Sequence, residues 1–219
     1  MKGVIVDAIK APASLATDVK PPAADVKESA IIDAARQTFL ARGYEGASMD
    51  VIALTAGVSK RTVYNRFRSK EELFAAAIEE TCRRILPVDI KTIETSLSPE
   101  AFMRELAGRF VRGILEPEAI ALRRIAAFEA ARSPGLGKAY LAHGPRFMVE
   151  TCTPILERLA ARGGLKIDDP ERAIWQLGAL ISEPLYMNIL LGDIPADLDA
   201  AIEAQLDSGL TAFFRIYRV

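Results

Sequence analysis

Leu198, Ile202, Leu206, Leu210 and Phe214 follow one another at strict i+4 spacing. Side chains four apart share one face of an α-helix, whereas a strand needs alternation at every second residue. The helical period begins at Lys27: Ile31, Ala35 and Phe39 recur every four residues, with Ile32 and Leu40 beside them. No alternating run bounded by hairpin turns interrupts it. The expectation is an all-α fold of about nine helices.

Caps and breakers divide that pattern. Gly43 stands where a C-terminal glycine ends a helix. Ser48 reads as the N-cap of a short helix over Met49 to Ala56, Gly57 breaks it, and Ser59 caps a second over Lys60 to Phe67. Ser69 and Glu72 form a capping box for a helix running to about Leu86, because Pro87 disfavours helix in the residue before it. Pro99, behind Ser98, and Pro117 are placed like first-turn prolines. Arg132 to Gly137 reads as a loop, and Pro145 as the start of a helix ending at Gly163-Gly164. Pro170, behind Asp168 and Asp169, opens a helix ending near Gly192. Pro154 and Pro184 fall inside helical patterns, where each removes a hydrogen bond and should kink its helix. Kinked helices can leave a cavity between them, or a kink can simply fit the core.

The 219 residues suit one large or two small domains. Residues 1–26 hold Pro12, Pro21 and Pro22 and balanced charges, and are expected to form a disordered arm. Residues 27–86 and 87–219 then make an N-terminal head and a C-terminal domain. Ala173 to Leu191, the most apolar long stretch, is interrupted by Gln176, Glu183 and Asn188, so no transmembrane helix is expected. Met1 to Lys10 has too short an apolar core for a secretory signal. Cys82 and Cys152 form no CxxC and read as buried free thiols. A cytoplasmic protein is the simplest expectation.

The single histidine, His143, leaves little room for a Ser-His-Asp triad or an imidazole-rich metal site. No GxGxxG, P-loop or HExxH is present. Glu150 and Glu157, seven apart on one predicted helix, read as solvated charges rather than an acid–base pair. No catalytic residue, metal or cofactor is expected.

The chemistry concentrates around Gly57, between two short helices in the order of a helix-turn-helix. At about 100° per residue, Val63 and Phe67 fall on one side of the second helix. Arg61, Tyr64, Asn65 and Arg68 fall on the other, flanked by Lys60, Thr62 and Arg66. Val58, Val63 and Phe67 are expected to be core. From Val51 to Lys70 there are five bases (Lys60, Arg61, Arg66, Arg68, Lys70) and no acid. Residues 27–86 carry ten bases against eight acids, and residues 87–219 fifteen against eighteen, although the whole chain is nearly neutral. A local basic face of this kind neutralises phosphates and steers association.

Several of these residues hold a family pattern at fixed spacing. Ser48-Met49-Asp50-Val51-Ile52-Ala53, Ala56-Gly57-Val58-Ser59, Thr62-Val63-Tyr64, Phe67 and Ser69-Lys70-Glu71-Glu72-Leu73-Phe74 closely resemble the DNA-binding domain of the TetR family. The likeness covers about residues 27–75. A looser likeness to the AefR-like subgroup runs from roughly Leu122 to Gly192, carried by AARSPGLGKAYLAHGP and GLKIDDPERAIWQLGALISEPLYMNILLG. The resemblance implies a homodimeric, ligand-responsive transcriptional regulator, usually a repressor, bound to a double-stranded DNA operator. It places Ser48 at a phosphate and Ser59, Lys60, Arg61, Thr62, Tyr64, Asn65, Arg66 and Lys70 at the DNA. Arg61 then reads guanine and Asn65 adenine, while Tyr64 and Lys70 hold backbone phosphates. Arg61 stands where many members have Gly, and Arg66 where many have an aromatic residue, so base preferences of other members do not carry over.

The resemblance also implies dimerisation through helices near 171–191 and 197–217. Ile174, Leu177, Ile181, Leu185 and Ile189 form a stripe on the first of these. Packing within one chain would use the same stripes. It further implies a pocket for a small apolar or amphipathic effector in the C-terminal domain. Candidate lining residues are Phe102, Phe110, Phe128, Phe147, Met148, Trp175 and Met187, with His143 and Tyr186 as polar groups. Such residues at helical spacing are more often plain core, and His143, beside Gly144-Pro145, suits a surface or cap role equally well. Two other readings share parts of this pattern: an activator or architectural DNA binder without an inducer, and an all-helical enzyme with a basic surface.

Overall fold

A computed structural model of the protein describes residues 23–85 and 97–218. Most of the expected arm (residues 1–22) and the boundary at Leu86-Pro87 lie outside the described residues. Within them are eleven α-helices, one π-helical turn and no β-strand.

The head comprises α1 (Ala23–Gly46), α2 (Met49–Thr55), α3 (Lys60–Tyr64) and α4 (Lys70–Ile85). Gly43 leaves the helical conformation at φ 69°, as its type predicts, and the chain turns Tyr44 into the core. The Tyr44 ring lies 5.8 Å from that of Phe39 and 5.7 Å from that of Phe74. Ser48 Oγ accepts from Val51 N at 3.2 Å, and Ser59 Oγ from Thr62 N at 3.1 Å. Ser69 Oγ accepts from Glu72 N at 3.1 Å, but the Glu72 carboxylate reaches back to Arg68 N at 2.7 Å. Gly57, at φ 65°, closes α2 in a Schellman arrangement, with Val58 N donating to Ala53 O and Gly57 N to Leu54 O. α3 ends at Tyr64, three residues before the expected Phe67. Its last turn tightens, with Arg66 N and Phe67 N both donating to Val63 O.

The body comprises α5 (Pro99–Leu115), α6 (Pro117–Glu129), α7 (Pro134–Leu141), a π-helical turn (Ala142–Arg146), α8 (Phe147–Ala161), α9 (Pro170–Ser182), α10 (Leu185–Leu191) and α11 (Leu198–Tyr217). The helix starts at Pro99, Pro117 and Pro170 agree with expectation. Three readings are corrected. The expected loop at Arg132 to Gly137 is mostly helix, because Pro134 sits in the first turn of α7, where its missing N–H costs nothing. Pro145 starts no helix but lies in the π-helical turn joining α7 to α8, a widened turn that accommodates a residue without a donor. The helix expected from Pro170 to Gly192 is two helices: Glu183, before Pro184, is extended at ψ 144°. Pro154, by contrast, lies within an uninterrupted α8.

Two hydrophobic cores form. The head core gathers Ile31, Phe39, Ile52, Val63, Phe67 and Phe74, and is completed by Leu122 and Ala126 of α6 and Leu136 of α7. The head is therefore seated on the body by shared apolar side chains. Arg36 of α1 adds an ion pair with Glu118 of α6. In the body core, Ile202, Leu206 and Leu210 of α11 are buried with residues of α5 and α9. The i+4 stripe expected to meet a partner is thus largely covered by the chain's own helices. Ile181, Leu185 and Ile189 are buried likewise.

Candidate nucleic-acid interface and internal cavity

Val63 is fully buried and anchors α3, so the opposite face of that helix points outward. Ser59, Lys60, Arg61, Tyr64 and Asn65 are exposed, and Thr62 is half-buried. Val63 and Phe67 are core as expected, and Val58 packs against them. Lys60 Nζ lies 2.7 Å from an Asp50 oxygen, and that hydrogen bond holds the ammonium's pKa above its ordinary value. Lys60 also stands 5.8 Å from the Tyr64 ring centroid. Ser59 and Thr62 hydroxyls are 2.8 Å apart. Arg61 makes no ion pair among the described residues, so its guanidinium remains available.

Two of the expected contacts, Arg66 and Lys70, are also engaged within the head. Arg66 Nη1 is 2.6 Å from Glu28 Oε2 and ties the end of α3 to α1. Lys70 Nζ donates to Tyr44 O at 2.7 Å and Ala47 O at 3.2 Å, and lies 4.1 Å from the Tyr44 ring centroid. Both cations are engaged with the protein, Arg66 by a carboxylate of α1 and Lys70 by two carbonyls of the turn after Gly43. Ser48 spends its hydroxyl on capping α2. A sequence pattern shows that a residue is basic; it cannot show which basic residues the fold has already paired.

A partly open cavity of about 330 Å³ lies between α4 of the head and α5, α6, α8 and α9 of the body. Of the expected lining residues, Phe110, Met148, Trp175 and Tyr186 face it. The others do not. Phe102 is buried in the body core. Phe128 is exposed, with the Arg132 guanidinium 4.7 Å from its ring centroid. Phe147 lies under Arg83 instead, and Met187 is turned toward solvent. His143 sits on the π-helical turn with Nδ1 2.9 Å from Glu79 Oε2, the surface role its position allowed. Helical period tells which residues share a face, but the break at Pro184 reorients α10 and sends Met187 outward while Tyr186 stays inside.

Sequence reasoning missed Arg123 and Tyr140, which line the cavity, and did not place both cysteines there. Burial pushes Cys82 up to about 12 and Cys152 up to about 11, so both thiols are neutral at pH 7 and poor nucleophiles. Among the described residues no cluster of His, Cys, Asp and Glu is arranged to hold a metal, and no helix is long and apolar enough to cross a membrane. Glu150 and Glu157 are both exposed.

A short helix-turn-helix with an exposed cationic face, seated on a larger helical body, defines a DNA-binding regulator. Comparison with known proteins makes the class specific. Residues 31–77 match the family model of bacterial regulatory proteins of the tetR family, and residues 101–219 match that of the AefR-like transcriptional repressor C-terminal domain. The chain is 30% identical over 197 residues to the HTH-type transcriptional regulator TcmR of Streptomyces glaucescens, covering 86% of this chain and 84% of TcmR. A solved TetR-family regulator from Mesorhizobium loti superposes with a TM-score of 0.76 at 29% identity, over 90% of this chain and all of that one. The flavonoid-responsive regulator FrrA superposes with a TM-score of 0.70 at 32% identity, over 89% of this chain and 98% of FrrA. This chain belongs to the TetR family: it is a DNA-binding transcriptional regulator, not an enzyme.

Proposed function

We propose that the protein is a ligand-responsive repressor acting in the cytoplasm as a homodimer, released from a palindromic operator by a small apolar or amphipathic effector. One observation carries the reading. Ile78 of α4 and Leu122 of α6 belong to the head core and also line the cavity, and Arg123, the next residue of α6, lines it beside them. A molecule in the cavity therefore touches the helix on which the head rests. To act, it must favour a head position that no longer fits the operator; equal affinity for both positions would shift nothing. The match to a repressor C-terminal domain supports the sign of regulation, and the response of FrrA to flavonoids supports an aromatic effector.

At the DNA, Lys60, Arg61, Thr62, Tyr64 and Asn65 are the proposed contacts, with Ser48 and Ser59 holding the two helix starts. Arg66 and Lys70 hold the head together instead. The dimer would use the outward sides of α9, α10 and α11, where Trp175, Leu191 and Ile216 remain exposed. Two-fold symmetry then sets the half-sites one helical turn or a multiple apart, roughly 34–36 Å per turn.

The deciding experiment is selection of bound sites from a random DNA pool by the purified protein at two salt concentrations. A palindromic motif whose recovery falls with salt is expected. Recovery of no motif, repeated after refolding to remove any co-purified ligand, would overturn the operator-binding reading.

A further inference from the structure

Arg123 and Glu183 are the basic and acidic residues that line the cavity, whose wall is otherwise mostly apolar. The remaining acidic groups facing it are neutral at pH 7. Burial raises the Tyr140 and Tyr186 hydroxyls as it does the two thiols. Glu183 is exposed and makes no ion pair with Arg123. Arg123 makes none with any carboxylate among the described residues. Its guanidinium donates to the Tyr186 hydroxyl, lies 4.4 Å from the Tyr186 ring centroid and 6.0 Å from that of Tyr140. A guanidinium has five N–H donors and cannot be deprotonated in a protein. A Tyr186 oxygen that accepts from Arg123 keeps its own proton free to donate. The pair thus presents N–H and O–H donors side by side, with two aromatic rings next to them, in a partly open and mostly apolar cavity. Donors held in an apolar site call for an acceptor, and a charged acceptor answers them best.

We propose that the cavity takes a ring-bearing organic acid, its oxyanion seated on the Arg123 guanidinium and the Tyr186 hydroxyl and its apolar body lying along Phe110 and Met148. The assignment rests on the reading of this cavity as the effector site and names the effector's chemical class. It also places the oxyanion one residue from Leu122, which the head core and the cavity share. Carboxylates and phenolates share the chemistry that Arg123 recognises.

The test uses two fluorescent dyes of one ring skeleton, the anion anilinonaphthalene sulfonate and its neutral counterpart phenylnaphthylamine, on the full-length protein and on Arg123→Met and Tyr186→Phe. The anionic dye should bind the unaltered protein more tightly than the neutral one. Arg123→Met should weaken the anionic dye by roughly ten- to a hundredfold, the range of hydrogen bonds to charged groups. It should leave the neutral dye within about twofold, which also reports that the cavity is intact. Tyr186→Phe should weaken the anionic dye alone, and by less. Naphthoate should displace the anionic dye where naphthalene does not, and naphthol should displace it only once the pH is high enough to ionise its hydroxyl. Equal weakening of both dyes in Arg123→Met, or displacement by naphthalene as effective as by either acid, overturns the oxyanion assignment. Binding of the neutral dye alone overturns it while sparing the effector-cavity reading. Binding of neither dye overturns both.

Discussion

The side-chain amide of Gln205 on α11 donates to the Leu180 carbonyl of α9 at 2.8 Å. Leu180 lies four residues before Pro184, so its carbonyl is the acceptor that a continuous helix would have paired with the absent proline N–H. The same amide nitrogen donates to Glu183 O at 2.7 Å. One side chain thus closes the gap that the proline opens, and the break between α9 and α10 beside the cavity is held by a neighbouring helix.

Removing that amide while keeping its bulk should expose the gap. Gln205→Leu leaves two carbonyls near Pro184 without a donor and is expected to destabilise the protein by about 1–3 kcal/mol. A lowered midpoint in thermal or urea unfolding, at unchanged helical content, is the measurement.

Two glycines on neighbouring helices should behave oppositely. A Cβ at Gly209 of α11 would lie 2.4 Å from Leu180 O, a backbone atom that cannot yield cheaply. Gly209→Ala is therefore expected to cost about 1–3 kcal/mol and to disturb the Gln205 contact. A Cβ at Gly178 of α9 meets nothing within 4 Å, and Gly178→Ala should stabilise by up to about 1 kcal/mol through helix propensity. Urea titrations of the two variants side by side would show whether the close approach of α9 and α11 depends on Gly209; equal effects would contradict it.

Among the basic residues of the head, Arg61 and Arg66 should separate. Arg61→Ala is expected to lower affinity for the selected operator by about 1–3 kcal/mol and to relax preference at one base position, the behaviour of a base-reading arginine. Arg66→Ala breaks the pair with Glu28, which is partly exposed, so its stability cost should be about 0–1 kcal/mol. It should leave the dependence of binding on salt unaltered. Titrations of the same operator at several salt concentrations distinguish the two; a reduced salt slope in Arg66→Ala would return that residue to the DNA.

Alkaline pH should weaken the fold through the cavity thiols. Burial raises Cys82 from 9.0 to about 12 and Cys152 from 9.0 to about 11. Below pH about 9 both are neutral in folded and unfolded chains, and their contribution to stability is fully present. As pH rises from there through the folded values, the unfolded chain releases protons that the folded one retains, and stability falls. Unfolding free energies measured between pH 7 and about 11 should decline, and Cys152→Ala should flatten the decline.

Local chemistry accounts for much that was legible in advance. Ser48, Ser59, Ser98 and Asp169 cap helices because a short polar side chain next to free backbone N–H groups satisfies them without distant partners. Gly43 breaks α1 before its last residues, and Gly57 closes α2, because a positive φ suits a residue without a Cβ. The all-α class and the outward face of α3 follow from period and from the anchoring of Val63. Each of these depends on residues within a turn or two of one another.

Pairings across long sequence distances were not legible. Nothing near Arg66 or Lys70 marks them as engaged, since their partners, Glu28 and the carbonyls of Tyr44 and Ala47, are brought up by the packing of α1 against α4. The stripe of α11 announced a buried face but not whose surface buries it; α5 and α9 of the same chain cover most of it. Nothing in the sequence around Arg123 marks it as a cavity residue; the packing of α6 against both the head core and the cavity puts it there. Helix identity is set by short-range hydrogen bonding and side-chain period, which a linear sequence records directly. Which charges pair, which rings face a cavity and which helix joins two cores depend on how the helices pack, and that arrangement is the sum of many weak contacts between residues far apart in the chain.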